Sequence, residues 1–592
     1  MTEGAVLITP DTANAGAVAG AWLDRFAAAL AARGATDLAP LFRHDAYWRD
    51  LVVFSGHVRT LQGADSVVEH LVGLVDQIGP HDFTLSDDYT PPSPQPRGLE
   101  EPIEAFFQFE TRHTVAKGIV RLVPAGTDLG VAAVALMTAA HELKGFEEPV
   151  GARRREHAVP HQFSGPNWRD HMDELTAFDG RDPEVIVVGA GQCGLALAAN
   201  LRLMGVDALV IERNDRVGDN WRNRYHSLTL HNLLSVNKLP HMPFPESFPV
   251  YLPKDMFGGW LETYASSMEL PVWTGTRLLN ATRDDASGVW SLHIDQRGRD
   301  RGLRTRHVVM ATGAGICSRP NVPEVEGMDG FAGPIPHSSE AGDGRRFAGR
   351  NALVFGTGTS AHDIAAQLVE HGCTVTMVQR GATTVISQKC ANMFLRLFEE
   401  RPAEEVDLIF NANSSEITKQ GFAALTTIAE DLDRELLDGL TAAGFRWDSG
   451  IEDAGHFWNF LQKGGGYYIN VGTSDMIIDG RITVVQADDI VRFTRDGVQT
   501  TDGRTIPAEV AIMATGYGSQ REQNAQVFGP AVADAVGEVW GYGEDGEIRN
   551  TWRPTAVDGL WFTSGGIPHA RNYGRYLALQ LKARLEGLVR GV

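Results

Sequence analysis

The sequence predicts an α/β protein in which two βαβ units share one chain, the second inserted in the first. Two observations indicate this: an apolar strand, a glycine turn and a helix occur in order at 185–212, and the same design recurs at 352–380. A third observation adds an N-terminal α+β domain, because residues 12–150 place helical patterns before a run of strand patterns. The length of 592 residues allows three or four domains of roughly 100–200 residues each.

The N-terminal 150 residues are predicted to form a cone-shaped α+β domain. Trp22, Phe26 and Leu30 fall at helical spacing, and residues 103–109 mostly alternate apolar and polar side chains, as a half-buried strand does. Four polar residues could line the mouth of a ligand pocket or lie at the strand edges of a structural or dimerisation domain: His44, Asp45, Tyr47 and Asp50. The polar residues 151–181 that follow are expected to form a linker.

The first βαβ unit carries a nucleotide-binding pattern. Val185–Val188 is short and apolar, as expected of a buried parallel strand, and it leads directly into a G-x-G-x-x-G turn. In such a turn Gly189 permits the tight bend, Gly191 lets the backbone approach a pyrophosphate, and Gly194 lets the helix pack on the strand. The next strand ends at Glu212, an acid placed to accept hydrogen bonds from an adenosine ribose. The unit is therefore predicted to be a Rossmann-like dinucleotide-binding domain.

The second unit repeats this Rossmann-like design. The apolar strand Ala352–Phe355 precedes a glycine turn whose third position holds alanine, which the pattern tolerates. The turn consists of Gly356, Thr357, Gly358, Thr359, Ser360 and Ala361. At the position equivalent to Glu212 stands Gln379, followed by Arg380. An acid there would repel a 2′-phosphate, whereas Gln379 and Arg380 can bind one, so NADPH is expected at this site and NADH use is left open.

Composition narrows the class of protein. The net charge is −22, from 53 basic and 75 acidic residues, which argues against nucleic acid or an anionic membrane surface as a main partner. The four cysteines form no C-x-x-C pair and no His/Cys cluster has metal-ligand spacing, so no metal site is expected and a reducing compartment is indicated. No signal-peptide pattern and no run of about 18 apolar residues is evident, which favours a cytoplasmic protein without membrane spans.

Further motifs lie between and after the two glycine turns. Two strand ends carry Ala-Thr-Gly stretches that finish at Gly313 and Gly516. Between the turns, Phe331–His337 reads F-A-G-P-I-P-H and matches the fingerprint F-x-G-x-x-x-H-x-x-x-(Y/F) of the flavin-containing monooxygenases, except that Ala341 replaces the last aromatic residue. With the turns in the same order, residues 182–592 resemble this family, the class B flavoprotein monooxygenases. Its Baeyer–Villiger members carry tryptophan at the last position, so the chain fits neither subgroup cleanly.

The N-terminal domain adds a second resemblance. The order of its elements and its Tyr-Trp-Arg-Asp stretch, residues 47–50, resemble the nuclear transport factor 2-like (SnoaL-like) domains. Such a domain fused to this core resembles the N-terminally extended type II members of the family. A homodimer is left open, because many domains of this kind pair through their sheets.

The family resemblance implies FAD at the first turn and NADPH at the second. The residues expected at FAD are Gly189, Gly191, Gly194, Glu212, Asp219, Asn220, Trp221, Gly313 and Gly516. Those expected at NADPH are Gly356, Gly358, Ser360, Ala361, Gln379 and Arg380. In the implied cycle NADPH reduces FAD, O₂ adds at flavin C4a, and the (hydro)peroxyflavin gives one oxygen atom to a small organic substrate.

Three residues are candidates for the catalytic machinery. The family uses an asparagine in a segment before a Pro-Phe-Pro sequence, here Pro243–Pro245, and counting back reaches His231 or Asn232 according to one gap. Either could hydrogen-bond the oxygenated flavin or the nicotinamide amide, or lie in an ordinary loop, and His231 could also shuttle a proton. His337 of the fingerprint is expected to order the linkers between domains or to contact NADPH. Tyr467 and Tyr468 could line the cleft or pack in the core.

The reaction is left open by the resemblance. Baeyer–Villiger oxidation of ketones and S- or N-oxidation are both expected, on a small apolar substrate. The alternatives are oxidative decarboxylation of an indolic keto acid and an uncoupled NADPH oxidase that produces H₂O₂. A disulfide oxidoreductase shares the two-nucleotide plan but needs a redox cysteine pair, which the sequence lacks. The predicted division is a domain at 1–150, a linker at 151–181, an FAD domain at 182–325 and 485–592, and an NADPH domain at 326–484.

Overall fold

The fold is described from a computed structural model that covers residues 14–97, 100–156, 163–313 and 319–589. The first ten residues, for which no signal peptide is expected, lie outside the described residues, as does Cys317. None of the helices within these ranges combines the length and the hydropathy needed to cross a bilayer. The cytoplasmic location stays a prediction.

The N-terminal region forms one mixed sheet with helices packed against it. Its helices are α1 (Ala15–Ala31), α2 (Ala35–Leu38) and α3 (Ala64–Ile78). Its strands are β1 (Phe42–Leu51), β2 (Val58–Gln62), β3 (His81–Leu85), β4 (Ser93–Pro94), β5 (Ile103–Glu110), β6 (Thr114–Pro124) and β7 (Val131–Leu143). They lie in the order β2-β1-β7-β6-β5-β3, and β4 pairs with β5. The neighbours β1 and β7 are parallel, and the other pairs are antiparallel.

An aromatic core holds α1 against this sheet. The rings of Trp22 and Phe26 stack with centroids 5.1 Å apart, and Phe26 meets Phe83 of β3 edge-on at 5.7 Å. In β6, a Cβ at Gly118 would lie 2.2 Å from the ring of Phe107 on the neighbouring strand. Glycine is therefore needed there, because the phenylalanine ring covers the backbone of β6.

The central region contains the first βαβ unit and a short helix before it. The helices are α4 (Trp168–Ala177), α5 (Gln192–Leu203), α6 (Asp219–Arg222) and α7 (Lys254–Ser267). The strands are β8 (Val185–Val188), β9 (Ala208–Ile211), β10 (Val272–Trp273), β11 (Thr276–Arg283), β12 (Trp290–Gln296), β13 (Arg299–Thr305) and β14 (His307–Met310). Helix α4 lies in the predicted linker and begins at a capping box between Asn167 and Asp170.

The remaining chain contains the second unit, a helical insertion and the C-terminal closure. The helices are α8 (Thr359–Glu370), α9 (Gln388–Met393), α10 (Leu397–Glu400), α11 (Ala403–Asn411), α12 (Ser415–Leu432), α13 (Arg434–Ala442), α14 (Gly455–Lys463), α15 (Thr473–Ile478), α16 (Gln520–Phe528), α17 (Pro530–Val536) and α18 (Ile567–Leu585). The strands are β15 (Asn351–Phe355), β16 (Thr374–Gln379), β17 (Thr384–Ser387), β18 (Tyr467–Asn470), β19 (Ile482–Gln486), β20 (Ile490–Thr494), β21 (Gly497–Thr500), β22 (Thr505–Pro507), β23 (Val510–Met513) and β24 (Leu560–Phe562).

Two parallel sheets carry the two glycine turns. The first has the order β10-β9-β8-β14-β24, and the second has the order β19-β16-β15-β23. In each sheet an internal strand, β8 or β15, leads into the glycine turn, and β8, β9, β14 and β24 are buried along their whole length. Because β24 near the C-terminus completes the first sheet, the second sheet lies within the first in chain order.

The boundary predicted at residue 485 needs a correction. Strand β23 runs parallel to β15, with Ala352 opposite Val510 and Phe355 opposite Met513. These residues therefore belong to the second sheet and not with the first unit, to which 485–592 was assigned. The two units are built alike. In the first, β14 before one Ala-Thr-Gly stretch pairs with β8, and in the second, β23 before the other stretch pairs with β15.

Candidate functional site

One cavity of about 1860 Å³ connects the two glycine turns. It lies at the carboxyl ends of the parallel strands, where ligands bind in open α/β sheets. The predicted site residues that line it are Gly189, Gly191, Glu212, Asp219, Asn220, Trp221, His231, Asn232, Gly313, Gly356, Gly358, Ser360, Ala361, Arg380 and Gly516. Three predicted residues are not part of the described lining: Gly194, His337 and Gln379.

The two glycine turns have the same geometry. Gly189 and Gly356 both have φ of +112°, in the region that favours glycine. A Cβ at Gly189 would lie 2.7 Å from the carbonyl oxygen of Ala311, and one at Gly356 would lie 2.3 Å from that of Ala514. Both alanines open Ala-Thr-Gly stretches. Each of those stretches thus lies directly against a glycine turn, which requires small residues on both sides.

The turns expose the backbone N–H groups that begin two helices. Gly191 is the N-cap of α5 and Gly358 is the N-cap of α8, and both line the cavity. Helix N-termini of this kind attract phosphate, through free N–H groups and the positive end of the helix dipole. A Cβ at Gly194 would lie 2.0 Å from the carbonyl oxygen of Gly189, so this glycine lets α5 approach the turn. Both turns therefore fit a dinucleotide pyrophosphate.

Glu212 is buried at the cavity wall next to the first turn. Its carboxylate accepts hydrogen bonds from the backbone N–H of Ala190 at 2.8 Å and from the backbone and side chain of Asn214 at 2.8 and 2.7 Å. A carboxylate has about four acceptor positions, so these three bonds leave room for a ribose hydroxyl. The bonds also hold the side chain in place before any ligand binds.

Gln379 does not line the cavity beside the second glycine turn, where the prediction placed it. Its side chain is fully buried; it donates to the carbonyl oxygen of Arg446 at 2.7 Å and accepts from the N–H of Arg446 at 2.8 Å. With both ends of the amide engaged in this way, it is not available to a 2′-phosphate. Arg380, the next residue, is exposed and lines the cavity. Because successive residues of a strand point to opposite sides, only one of the pair can face the ligand.

His337 is buried, lies outside the described cavity lining, and forms hydrogen bonds to two other residues of the chain. Its Nε2 donates to the carbonyl oxygen of Gly516 at 2.9 Å, and its Nδ1 lies 2.8 Å from the hydroxyl of Ser339. Burial lowers its pKa, which favours the neutral ring. The imidazole thus ties the fingerprint segment to the Ala-Thr-Gly stretch of the second sheet.

His231 and Asn232 lie together on the wall of the same cavity. The carbonyl oxygen of His231 accepts from Gln388 at 3.0 Å, and that of Asn232 accepts from Asn237 at 3.1 Å, which fixes the loop. Burial lowers the pKa of His231 to about 4. At neutral pH its imidazole is therefore uncharged, with one donor and one acceptor nitrogen.

The chain is similar to proteins of known families. Residues 186–452 match the family described as pyridine nucleotide-disulphide oxidoreductase. A rice protein (Oryza sativa subsp. japonica) named indole-3-pyruvate monooxygenase YUCCA1 is 32% identical over 359 residues, which are 59% of this chain and 80% of that protein. The chain belongs to the flavin-containing monooxygenase family. It is therefore an oxidoreductase, and the resemblance of residues 182–592 to this family is confirmed. The resemblance of the N-terminal domain to the nuclear transport factor 2-like domains stays a prediction.

A second relative and one solved structure are also similar to the chain. An Arabidopsis thaliana protein named probable indole-3-pyruvate monooxygenase YUCCA4 is 30% identical over 346 residues, 57% of this chain and 76% of that protein. The crystal structure of cyclohexanone monooxygenase bound to ε-caprolactone has a TM-score of 0.51 and 17% identity, over 68% of this chain and 88% of that one. At this identity the similarity shows the fold alone.

This flavin-containing monooxygenase has an aromatic part of the cavity that the sequence did not reveal. Tyr467 lines it, whereas Tyr468 is buried and stacks on His362 with centroids 3.8 Å apart. The other ring-bearing residues there are Phe394, Phe398, Phe410, Phe422, His456, Phe457, Phe460, Tyr542, His569 and Tyr573. They come from helices α9 to α14, strand β18 and the C-terminal region, so no local motif joins them.

The N-terminal region contributes one side chain to the described lining, Arg49. Its guanidinium forms a buried pair with Glu547 at 2.7 Å and donates to the hydroxyl of Tyr573 at 3.1 Å. The positive charge of Arg49 is thus already paired. Among the described residues, no group of three or more His, Cys, Asp or Glu side chains is arranged to hold a metal ion.

Proposed function

We propose that the chain binds FAD at the first glycine turn and NADPH at the second, and inserts one oxygen atom from O₂ into a small organic substrate. The observation that carries this proposal is the single cavity, which reaches both turns and continues into the aromatic part. Two dinucleotides that open into one cavity can exchange a hydride there, next to a substrate held among aromatic rings. NADH use stays open, because Arg380 is the only residue of the predicted pair that lines the cavity and could bind a 2′-phosphate.

The chain's own residues would bind, orient and exclude water. When bound, FAD reduced by NADPH supplies the chemistry of oxygen activation. The net reaction consumes NADPH, one proton and O₂, places one oxygen atom on the substrate, and releases NADP⁺ and water. His231 and Asn232 would donate hydrogen bonds near the reacting atoms, and the neutral His231 could carry a proton at a ring nitrogen. His337 would position the second Ala-Thr-Gly stretch and would not itself transfer protons.

Two reaction types follow for the substrate. We favour oxidation of an uncharged apolar ketone or sulfide, because aromatic side chains line this part of the cavity. Arg49, which the N-terminal region contributes to the lining, is already paired with Glu547 and is not available to a charged substrate. The second candidate is oxidative decarboxylation of an indolic keto acid. It is favoured by the similarity to the rice and Arabidopsis thaliana proteins with 32% and 30% identity, which are named as an indole-3-pyruvate monooxygenase and a probable one.

We also propose a division of the chain into domains. The FAD domain would consist of residues 182–325 and about 514–592, and the NADPH domain of 326–513, because strand β23 pairs within the second sheet. The N-terminal region would be a nuclear transport factor 2-like domain, in agreement with its helices and mixed sheet. A homodimer through that sheet remains a proposal.

Product analysis under ¹⁸O₂ tests the proposed function. The purified holoenzyme is given NADPH or NADH with cyclobutanone, a thioether, a tertiary amine or an indolic keto acid, and both organic product and H₂O₂ are quantified. One ¹⁸O atom in an organic product is the expected result. If every substrate leaves all the electrons in H₂O₂, the chain is an NADPH oxidase instead, and a colourless protein that binds no flavin would contradict the cofactor assignment.

A further inference from the structure

His456 is a buried polar residue on the cavity wall that none of the roles above uses. It is the second residue of α14, it is 2% exposed, and it lines the cavity. Neither of its ring nitrogens meets a hydrogen-bond partner among the residues that the structure describes. A buried imidazole without any partner is unfavourable, so the site favours a ligand that supplies the missing bond.

Two other buried histidines among the described residues, His307 and His362, each have a hydrogen-bond partner at one ring nitrogen. The Nδ1 of His307 accepts from the indole N–H of Trp561 at 3.3 Å. The Nδ1 of His362 lies 3.2 Å from the carbonyl oxygen of Gly358. Neither His307 nor His362 belongs to the described part of the cavity lining, so both have ordinary structural roles. His456 differs from them in both respects.

Aromatic rings surround His456 and form what we call the aromatic box: Phe394, Phe422, Phe457 and Tyr467. The imidazole meets the ring of Phe394 edge-on at 4.9 Å, that of Phe457 at 4.3 Å and that of Tyr467 at 6.0 Å. Phe422 stacks on Phe457 at 5.7 Å and closes the group. Offset and edge-to-face contacts at these distances are those by which aromatic rings bind one another, so the box suits a flat aromatic ligand.

The charge state of the imidazole limits the ligand further. Burial lowers the pKa of His456 to about 3, with a smaller contribution from the nearby His231. The ring is therefore neutral at neutral pH and offers one N–H donor and one acceptor nitrogen, but no positive charge. A carboxylate placed in the box would lose its hydration without gaining a counter-ion there, whereas a carbonyl oxygen would gain a donor.

We propose that the aromatic box binds an uncharged aryl ketone or aldehyde, with its ring among the phenylalanines and its carbonyl oxygen accepting a hydrogen bond from the N–H of His456. This assignment rests on the proposed function only in taking the cavity as the substrate site. It narrows the substrate class within the proposed function and adds a specificity-determining residue, His456.

Ligand binding without turnover tests the assignment. The oxidised holoenzyme, with no NADPH present, is titrated by calorimetry with acetophenone, with ethylbenzene, which lacks the carbonyl, and with benzoate, which adds a charge. Acetophenone is expected to bind about tenfold more tightly than either of the others, as one well-made hydrogen bond allows. His456→Phe should remove about tenfold of acetophenone affinity and leave ethylbenzene unchanged, and His456→Gln should keep part of the preference.

The matched control is His362→Phe, which replaces a buried imidazole that stacks on Tyr468, the neighbour of Tyr467, and does not line the cavity. This variant should keep the preference for acetophenone. Equal weakening of all three ligands by His456→Phe, an effect equal to that of His362→Phe, or tightest binding of benzoate would overturn the proposal. Because binding is measured without oxygen transfer, the box can succeed or fail independently of the monooxygenase reaction.

Discussion

At the scale of single residues, Gln379 and Arg380 have different tasks although they are neighbours in sequence. The amide of Gln379 fixes the backbone of Arg446, which lies 67 residues further along the chain. Arg380 faces the cavity beside the second glycine turn. Preference for NADPH should therefore depend on Arg380, and Gln379 should matter for stability.

Replacing Arg380 is expected to weaken NADPH more than NADH. A guanidinium bound to phosphate contributes about 1.5–3 kcal/mol, so Arg380→Ser should raise the KM for NADPH about tenfold or more and leave that for NADH nearly unchanged. Steady-state kinetics with both coenzymes provide the measurement. Gln379→Ala is the comparison: it should lower the midpoint of thermal unfolding and shift both KM values alike. A selective loss of NADPH in Gln379→Ala would contradict this division.

Asp363 on α8 gives the region of the second glycine turn a pH dependence. Its carboxyl accepts from the hydroxyl of Tyr225 at 2.7 Å, and burial raises its pKa to about 6. The unfolded chain would titrate near the ordinary value, so the folded protein holds an extra proton between about pH 4 and pH 6. The stability contribution of this group is present below that window and is lost as pH rises through the folded pKa.

Asp363→Asn is therefore expected to stabilise the protein at high pH only. Asparagine keeps an acceptor for Tyr225 but cannot ionise, so the free energy of unfolding should rise by about 1–2 kcal/mol at pH 8 and stay unchanged at pH 4. Urea denaturation at the two pH values measures the difference. An equal effect at both pH values would mean that ionisation of Asp363 has no part in it.

Sequence patterns predicted these residues to different degrees, for a physical reason. Gly189 and Gly356 were found because a turn with φ of +112° against a carbonyl oxygen accepts only glycine, so the local sequence records the constraint. His456 was not found, because the lack of partners at its ring nitrogens and its contact with Phe394, far earlier in the chain, exist only in the folded structure. Gln379 was misassigned because its partner, Arg446, is equally distant.

At the scale of secondary-structure elements, α11 joins the N-terminal sheet to the cavity. Arg121 of β6 donates to the carbonyl oxygens of Ile409 and Ala412 at 3.1 and 3.0 Å. On its other side, Asp407 pairs with Arg571 of α18 at 2.7 Å and lines the cavity. The N-terminal sheet therefore supports a wall of the cavity through the end of α11.

Loss of Arg121 should destabilise the protein and loosen that wall. The side chain is almost fully buried and pairs with Glu104 at 2.9 Å, so Arg121→Met should cost about 3 kcal/mol of unfolding free energy. Denaturant titration measures this cost, and substrate KM should rise while the rate of flavin reduction by NADPH is kept. Arg43→Ala, on the same sheet but in a partly exposed ion pair with Asp45, should cost about 0.5 kcal/mol. Equal costs for the two variants would refute the role given to α11.

At the scale of the whole molecule, three regions of the chain enclose one cavity. The two parallel sheets supply the nucleotide turns, the insertion of α9 to α14 supplies the aromatic rings, and the N-terminal sheet supplies Arg49. The sequence predicted the two nucleotide units and their order, because each is a contiguous stretch. It did not predict that β23 pairs with β15, because that pairing spans more than 150 residues.

Under the proposed function, coupling between NADPH oxidation and product formation should depend on this shared cavity. His231 and Asn232 line the cavity that both glycine turns reach, and exclusion of water from such a site would keep activated oxygen for the substrate. His231→Ala and Asn232→Ala should each raise the H₂O₂ released per NADPH oxidised severalfold, while flavin reduction continues, because each lost hydrogen bond contributes about 1 kcal/mol. Parallel assays of NADPH, H₂O₂ and organic product measure the ratio.

The control is Asn280→Ala, an exposed change on β11 outside the described lining, which should leave the ratio of H₂O₂ to NADPH unchanged. Unaltered coupling in both cavity variants would remove these two residues from the reaction.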